Sequence, residues 1–479
     1  MRKKLWLISD YRSGFPGGRW RHRAGLRSRL VSSPTFKNLK FIPILLFLIV
    51  ITLLSACSKK EKKAAHLTTD HISKVIGEMT QIMIHDVSNP PLAARFFSYA
   101  FLSGYEIISQ NDSAFKSFHG VINKYPLIQK PDTITGYDYQ LSALLAMIAT
   151  AKKMQPSGTR LEALEKAIID SCLKDGLDEE QIAQSKKYAA VVTKAILAYA
   201  KGDDYVKISN LQRYAPLKGE QYWYPTPPAY LPAVEPHFNT VRPFFLDSAN
   251  QFEPPPPVPF SKDKNSLFYK MLNDNYKQGE NFLTEDHRLI AAYWDCNPFA
   301  VQDDGHMMVG LKKMSPGAHW LGITGIVCKD AKKSFNESFF IHTMVAMGLM
   351  DSFIGCWNEK YFSNRVRPET AIRNILDPHW KPLLQTPPFP EYLSGHSCIS
   401  STSQIILSRY IGENVAFTDT VEVSFGLPSR HFTSFKQAAA EAAISRFYGG
   451  IHYMDAIDNG LVQGEKVGKY VLEKAKTVF

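Results

Sequence analysis

From His71 to Asp86 apolar residues fall at Ile72, Val75, Ile76, Met79, Ile82 and Met83, a spacing that lines one face of a helix. Asn89-Pro90-Pro91 interrupts the pattern, which resumes from Leu92 to Ser109. Thr159 with Glu162 reads as a capping box opening a helix to Leu173, and Asp178 to Lys201 predicts another, stopped at Gly202. Helical spacing returns at Ser266 to Tyr276 and again after Thr284, whose hydroxyl precedes Glu285-Asp286 as a good N-terminus. Asn336 to Trp357 is strongly apolar, but Glu337, His342 and Asp351 within it fit a core helix better than a membrane span. Ser394 opens a helix to about Tyr410, and Ser434 caps an alanine-rich one running to Arg446 and ended by Gly449-Gly450. No window alternates in the manner of a strand, and no internal repeat is found. The pattern predicts an all-α protein of packed helices.

One stretch departs from it. Between 214 and 262 lie Tyr222-Trp223-Tyr224-Pro225, Pro227-Pro228 and Pro254 to Pro257, which cannot form regular helix. A disordered linker would be poor in aromatics, so this segment reads as an irregular strap packed on a surface. The expected organisation is a leader, 1–56, followed by one large helical domain, 57–479. That domain consists of N-terminal helices (66–213), the strap (214–262) and C-terminal helices (263–479).

Charge changes the picture only at the leader. The 479 residues carry a net +11, but eleven Lys/Arg against Asp10 before residue 57 contribute +10 of it, leaving about +1 for the rest. The basic character therefore belongs to the leader, and nucleic-acid binding loses its main support. Lys37 and Lys40 precede an apolar run, Phe41 to Leu54, short for a membrane span and right for the core of an export signal. It ends in Leu54-Ser55-Ala56-Cys57, which resembles the bacterial lipobox and implies cleavage before Cys57 and lipidation of its thiol. The expected location is the periplasmic or cell-envelope face of a membrane, on a tether that begins Ser58-Lys59-Lys60. The other cysteines, Cys172, Cys296, Cys328, Cys356 and Cys398, show neither CxxC nor zinc-ligand spacing and read as small buried hydrophobes.

The candidate chemistry lies between 360 and 458. Lys360 and Arg367 are seven residues apart, two helical turns, and would share a face if the helix continued that far. Ser394-Gly395-His396 places a cap, a residue that lets a ligand approach the backbone, and an imidazole at a helix N-terminus, where first-turn amides favour an anion. Arg446 is a cation on a largely apolar helix and needs a partner; His452 follows the glycine break and can point back to the same place. Three cations, two imidazoles, a hydroxyl and a glycine amide are what a tetrahedral oxyanion requires. Elsewhere, His71, His85, His342 and His379 read as structural, Trp294 and Trp357 as core, and Asp303-Asp304-Gly305-His306 as a surface turn more readily than a metal site.

Lys360-x6-Arg367-Pro368, Ser394-Gly395-His396 and Ser445-Arg446-x5-His452 together resemble the signature of the type 2 phosphatidic acid phosphatase and vanadium-dependent haloperoxidase superfamily. Trp294-Asp295-x-Asn297-Pro298 and Ser315 to Trp320 resemble, more loosely, its soluble bacterial haloperoxidase-like branch. The resemblance implies that Lys360, Arg367, Ser394, Gly395 and Arg446 hold vanadate or phosphate and that His396 is the acid–base group. His452 would be the axial vanadium ligand or, in a phosphatase, the nucleophile that becomes phosphohistidine. The implied haloperoxidase reaction uses a vanadate cofactor to oxidise halide with hydrogen peroxide. The same residues in a soluble acid phosphatase would hydrolyse a phosphate ester without a cofactor, since vanadate copies the phosphoryl-transfer transition state. A non-catalytic anion-binding lipoprotein is the third reading. One departure bears on all three. The family usually places an Asp four residues after the last histidine to hold its other ring nitrogen; here that position is Ala456. Asp455 and Asp458 flank it, and Asp458, one turn on, is the expected replacement.

Overall fold

A computed structural model describes residues 63–208, 210–278, 283–303, 308–311 and 313–479, which fall in one contact unit, Lys62–Phe479. The leader and Cys57 lie outside the described residues, as do the side chains of the Asp303-Asp304-Gly305-His306 run.

The chain begins with α1 (Thr69–His85), α2 (Pro90–Ser109), α3 (Tyr139–Met154), α4 (Glu162–Lys174), α5 (Glu179–Lys201) and the single turn α6 (Tyr205–Ile208). After the strap come α7 (Leu267–Lys277), α8 (Glu285–Tyr293), α9 (Pro316–Asp330), α10 (Phe335–Ser363) and α11 (Pro368–Ile375). Then follow α12 (Gly395–Tyr410), α13 (Phe435–Tyr448) and α14 (Met454–Ala475). Among the described residues strand is confined to two antiparallel pairs of three-residue segments, β1 (Val301–Asp303) with β2 (Met308–Gly310) and β3 (Phe417–Asp419) with β4 (Arg430–Phe432). The fold is all-α.

Most boundaries follow from local chemistry. Asn89, Asp138, Asp178, Ser266, Thr284, Ser315, Ser334, Ser394 and Ser434 each precede a helix, their side chains accepting a first-turn amide. The expected box at Thr159 and Glu162 does not form. A 3-10 turn, Gly158–Leu161, leads directly into α4, and backbone carbonyls supply the bonds there, as in Arg160 N–H to Ser157 O at 3.1 Å.

The centre of the molecule is α10. It is the one helix among the described residues long and apolar enough to cross a membrane by length and composition, and its apolar window is buried in the protein. Helices α2, α9, α12 and α14 pack around it, with α3 behind α2 and α13 behind α12. Glycines set the closest approach. A Cβ on Gly464 of α14 would sit 2.0 Å from the Cys398 carbonyl oxygen of α12, so only glycine fits.

The strap wraps the C-terminal helices. Trp223 is fully buried and its amide donates to Asn364 O, and the amides of Phe244, Phe245 and Leu246 converge on the Asp351 carboxylate of α10 at 2.7–3.1 Å. Burial raises the Asp351 carboxyl to about 6 while those three donors pull it back down.

Candidate active site

The condition for Lys360 and Arg367 to share a helix face is not met, because α10 ends at Ser363 and Asn364 turns the chain in the left-handed region (φ 49°). Arg367 instead occupies the cap position of α11. The reversal still buries both cations: Lys360 and Arg367 have no exposed surface. Residues 387–394 then run to the N-terminus of α12, bringing Ser394, Gly395 and His396. Arg446 comes from the last turn of α13, and His452 from the link to α14, whose Ala456 carbonyl accepts the Ser394 amide at 3.1 Å.

The contacts knit these residues into one site. Arg367 donates from Nε to Phe389 O at 2.9 Å and from Nη1 to Ile451 O at 2.9 Å and His452 Nε2 at 3.1 Å. Arg446 Nη1 donates to Trp294 O at 2.8 Å, and its Nη2 lies 4.0 Å from Asp295 Oδ1. Lys360 Nζ donates to the carbonyls of Pro390, Glu391 and Leu393. Burial, reinforced by Arg367, lowers the Lys360 ammonium to about 8. Ser394 Oγ caps α12 by accepting Ser397 N–H at 3.3 Å, which leaves its own proton free to donate elsewhere. Both histidines are held neutral. Burial lowers His452 well below its ordinary value, helped by Arg367, Lys360 and Arg446, and burial followed by Arg446 and His452 does the same to His396.

The orienting residue differs from the expected one. His452 Nδ1 meets Glu391 Oε1 at 2.8 Å, whereas Asp458 is exposed on α14. Glu391 is itself fixed: Oε1 also accepts Tyr453 N–H at 3.0 Å, and Oε2 accepts Arg365 Nε at 2.6 Å. Asp455 grips Arg365 through both oxygens, at 2.6 and 2.7 Å. Asp455 therefore acts one pair removed, through Arg365 and Glu391. The physical reason is burial. Glu391 and Arg365 are enclosed with the imidazole, and the first turn of α14 carries Asp458 away from it. Glu391 stands three residues before the Ser394 motif, and its partner is 61 residues along the chain, so no local spacing announces it.

With Nδ1 on a carboxylate and Nε2 accepting from Arg367, His452 has its proton on Nδ1 and its lone pair at Nε2. His452, His396, Gly395 and Arg446 line a small cavity, about 30 Å³, whose other walls include Trp357, Phe353, Phe389, Pro90, Pro298 and Cys296. Trp294 is buried core, contributing its carbonyl; Trp357 is buried yet faces the cavity. His342 is structural, with Nδ1 on Ser338 O at 2.6 Å and its pKa lowered to about 4 by burial.

A solved structure described as the first bacterial vanadium-dependent iodoperoxidase matches with a TM-score of 0.80 and 40% identity, over 86% of this chain and 98% of that one. The chain belongs to the vanadium-dependent haloperoxidase family. It is accordingly an enzyme. A family model described as the second helical-bundle domain of VCPO matches residues 340–479 of this haloperoxidase-family chain, the part that carries the site. Holo and apo bacterial vanadium-dependent chloroperoxidases share its fold, with TM-scores of 0.61 and 0.59 at 14% and 15% identity. Those matches cover 82% and 81% of this chain and 93% and 94% of theirs. No curated protein matches it.

The donor set fits the oxyanion that the family's name implies. Among the described residues Arg367 Nη2, Arg446 Nε and His396 Nε2 are buried polar atoms without a partner, a costly arrangement unless a ligand supplies acceptors for the two guanidinium donors and a donor for the imidazole nitrogen. A Cβ on Gly395 would meet only the Trp357 ring at 3.7 Å, so packing does not demand glycine there. The space it leaves opens on the cavity.

Proposed function

We propose that this protein is a vanadate-dependent haloperoxidase that oxidises iodide with hydrogen peroxide. The observation that carries the reading is the pairing of a neutral His452, its lone pair at Nε2, with two buried guanidinium donors, Arg367 Nη2 and Arg446 Nε, left without protein partners among the described residues. Arg367, Arg446, the Ser394 hydroxyl and the Gly395 amide would hold the oxyanion's oxygens, Lys360 would add its buried positive charge while its three protons stay on backbone carbonyls, and His452 Nε2 would supply the nitrogen ligand. Bound vanadate supplies the Lewis acidity that activates peroxide toward a halide.

The protein's own residues do the rest. Glu391 keeps the Nδ1 proton in place so that Nε2 stays available. His396, neutral because it is buried beside Arg446, accepts a proton at Nε2 when peroxide binds and returns one as the halide is oxidised. Pro90, Pro298, Phe299, Phe353, Trp357 and Phe389 make the cavity wall apolar. Such a wall penalises strongly hydrated anions most, so iodide, the softest and least hydrated common halide, enters at the lowest cost. The 40% identity to a protein described as an iodoperoxidase supports the same choice.

The test is to load purified protein with orthovanadate and compare peroxide-dependent oxidation of iodide, bromide and chloride with hydrolysis of an aryl phosphate. Iodide oxidation should dominate and require vanadate. Phosphate ester hydrolysis that vanadate inhibits, with no halide oxidation, would transfer the site to the phosphatase reading. At the leader, Leu54 to Cys57 supports an exported, lipid-tethered enzyme.

A further inference from the structure

A second constellation lies behind the cavity wall, and the proposed reaction does not use it. Cys296 follows α8, His319 lies in the first turn of α9, and Glu422 stands in the 3-10 turn Val421–Phe425 after β3. Spread over 126 residues, the three have no motif spacing, yet they meet in the interior. Cys296 Sγ is 3.6 Å from His319 Nδ1, His319 Nδ1 is 3.4 Å from Glu422 Oε1, and Sγ is 4.0 Å from Oε1. All three residues are buried.

We propose that Cys296, His319 and Glu422 form a binding site for a borderline divalent cation, zinc first, with Asp419 as its positioning residue. Zinc bonds of about 2.3 Å to sulfur and about 2.0–2.2 Å to nitrogen and oxygen give tetrahedral edges of about 3.3–3.6 Å. Two of the three edges already have that length, and the third closes with a shift of about half an ångström. The fourth corner is left for water.

The surroundings are those of a supported metal ligand. His319 Nε2 meets Asp419 Oδ2 at 2.7 Å, and a carboxylate on the far nitrogen of a metal-bound imidazole fixes its tautomer and turns Nδ1 inward. Trp294 stacks on the His319 ring at 4.6 Å between centroids, locking its plane. Cys296 also lines the cavity, which gives a cation its way in. Asp419 and Glu422 place carboxylate oxygens on the two nitrogens of His319, at 2.7 Å from Nε2 and 3.4 Å from Nδ1. Metal entry forms three bonds to the cation and displaces to solvent the Cys296 thiol proton and any proton on His319 Nδ1.

The test takes full-length protein treated with a chelator, adds zinc or cobalt(II) alone, and reads metal per chain after gel filtration, with no peroxide or vanadate present. One equivalent should be retained, and the cobalt form should show a thiolate-to-cobalt charge-transfer band. Cys296→Ser should abolish the band and, with Glu422→Gln, weaken binding about 10–100-fold. His452→Ala should leave metal content unchanged. If either buried substitution prevents folding, thermal unfolding of the unsubstituted protein decides, since bound zinc should raise Tm. Absence of retained metal with no Tm shift, or equal retention in both variants, would overturn the site.

Discussion

At the residue scale the site rests on which nitrogen of His452 carries its proton. Glu391 accepts from Nδ1, and Arg365 and Asp455 hold Glu391 in turn. Glu391→Gln keeps the shape but removes the charge that pairs with Arg365. It should lower peroxide-dependent iodide oxidation about 10–100-fold, as loss of a ligand-orienting partner does elsewhere. Asp458→Ala should leave that rate unchanged, because its side chain is exposed away from the imidazole. Steady-state rates of the two variants separate these outcomes, and the reverse ranking would restore Asp458. The cations and both imidazoles were legible in the sequence because each sits in a short motif with its own spacing. Glu391 was not, since its role arises only when a loop folds over a residue 61 positions away.

At the element scale, the pocket exists because α12 and α14 lie unusually close, which fixes Ser394 against Ala456. Gly464→Ala would drive a methyl into the Cys398 carbonyl and should cost about 1–3 kcal/mol, read as a lower denaturation midpoint at unchanged slope. Helices with one apolar face, such as α1 and α5, announced themselves by periodicity. Helix α3 did not, because residues 141–148 are buried without a break and show no polar face. The end of α10 before Arg367 was not legible for a complementary reason. Its end is set by a left-handed Asn364, whose amide and side chain bond back to Lys360 and Tyr361.

At the scale of the whole molecule, the helical class followed from the pattern of apolar positions, whereas the wrapping of the strap did not. Its amides find their acceptors on α10, in the Asp351 carboxylate, a partner that composition cannot identify. The leader adds a prediction about place. With Cys57 lipidated, the expressed protein should fractionate with membranes and incorporate labelled fatty acid, and Cys57→Ser should release it unlabelled; an unlabelled soluble parent protein would remove the anchor. The account as a whole depends on an oxyanion seated against His452. Titrating chelator-treated protein with orthovanadate while following peroxide-dependent iodide oxidation tests this most directly. Activity should rise from the background and saturate at one vanadate per chain, and His452→Ala should stay inactive at every concentration. Iodide oxidation that needs no vanadate, or that survives loss of His452, would contradict it.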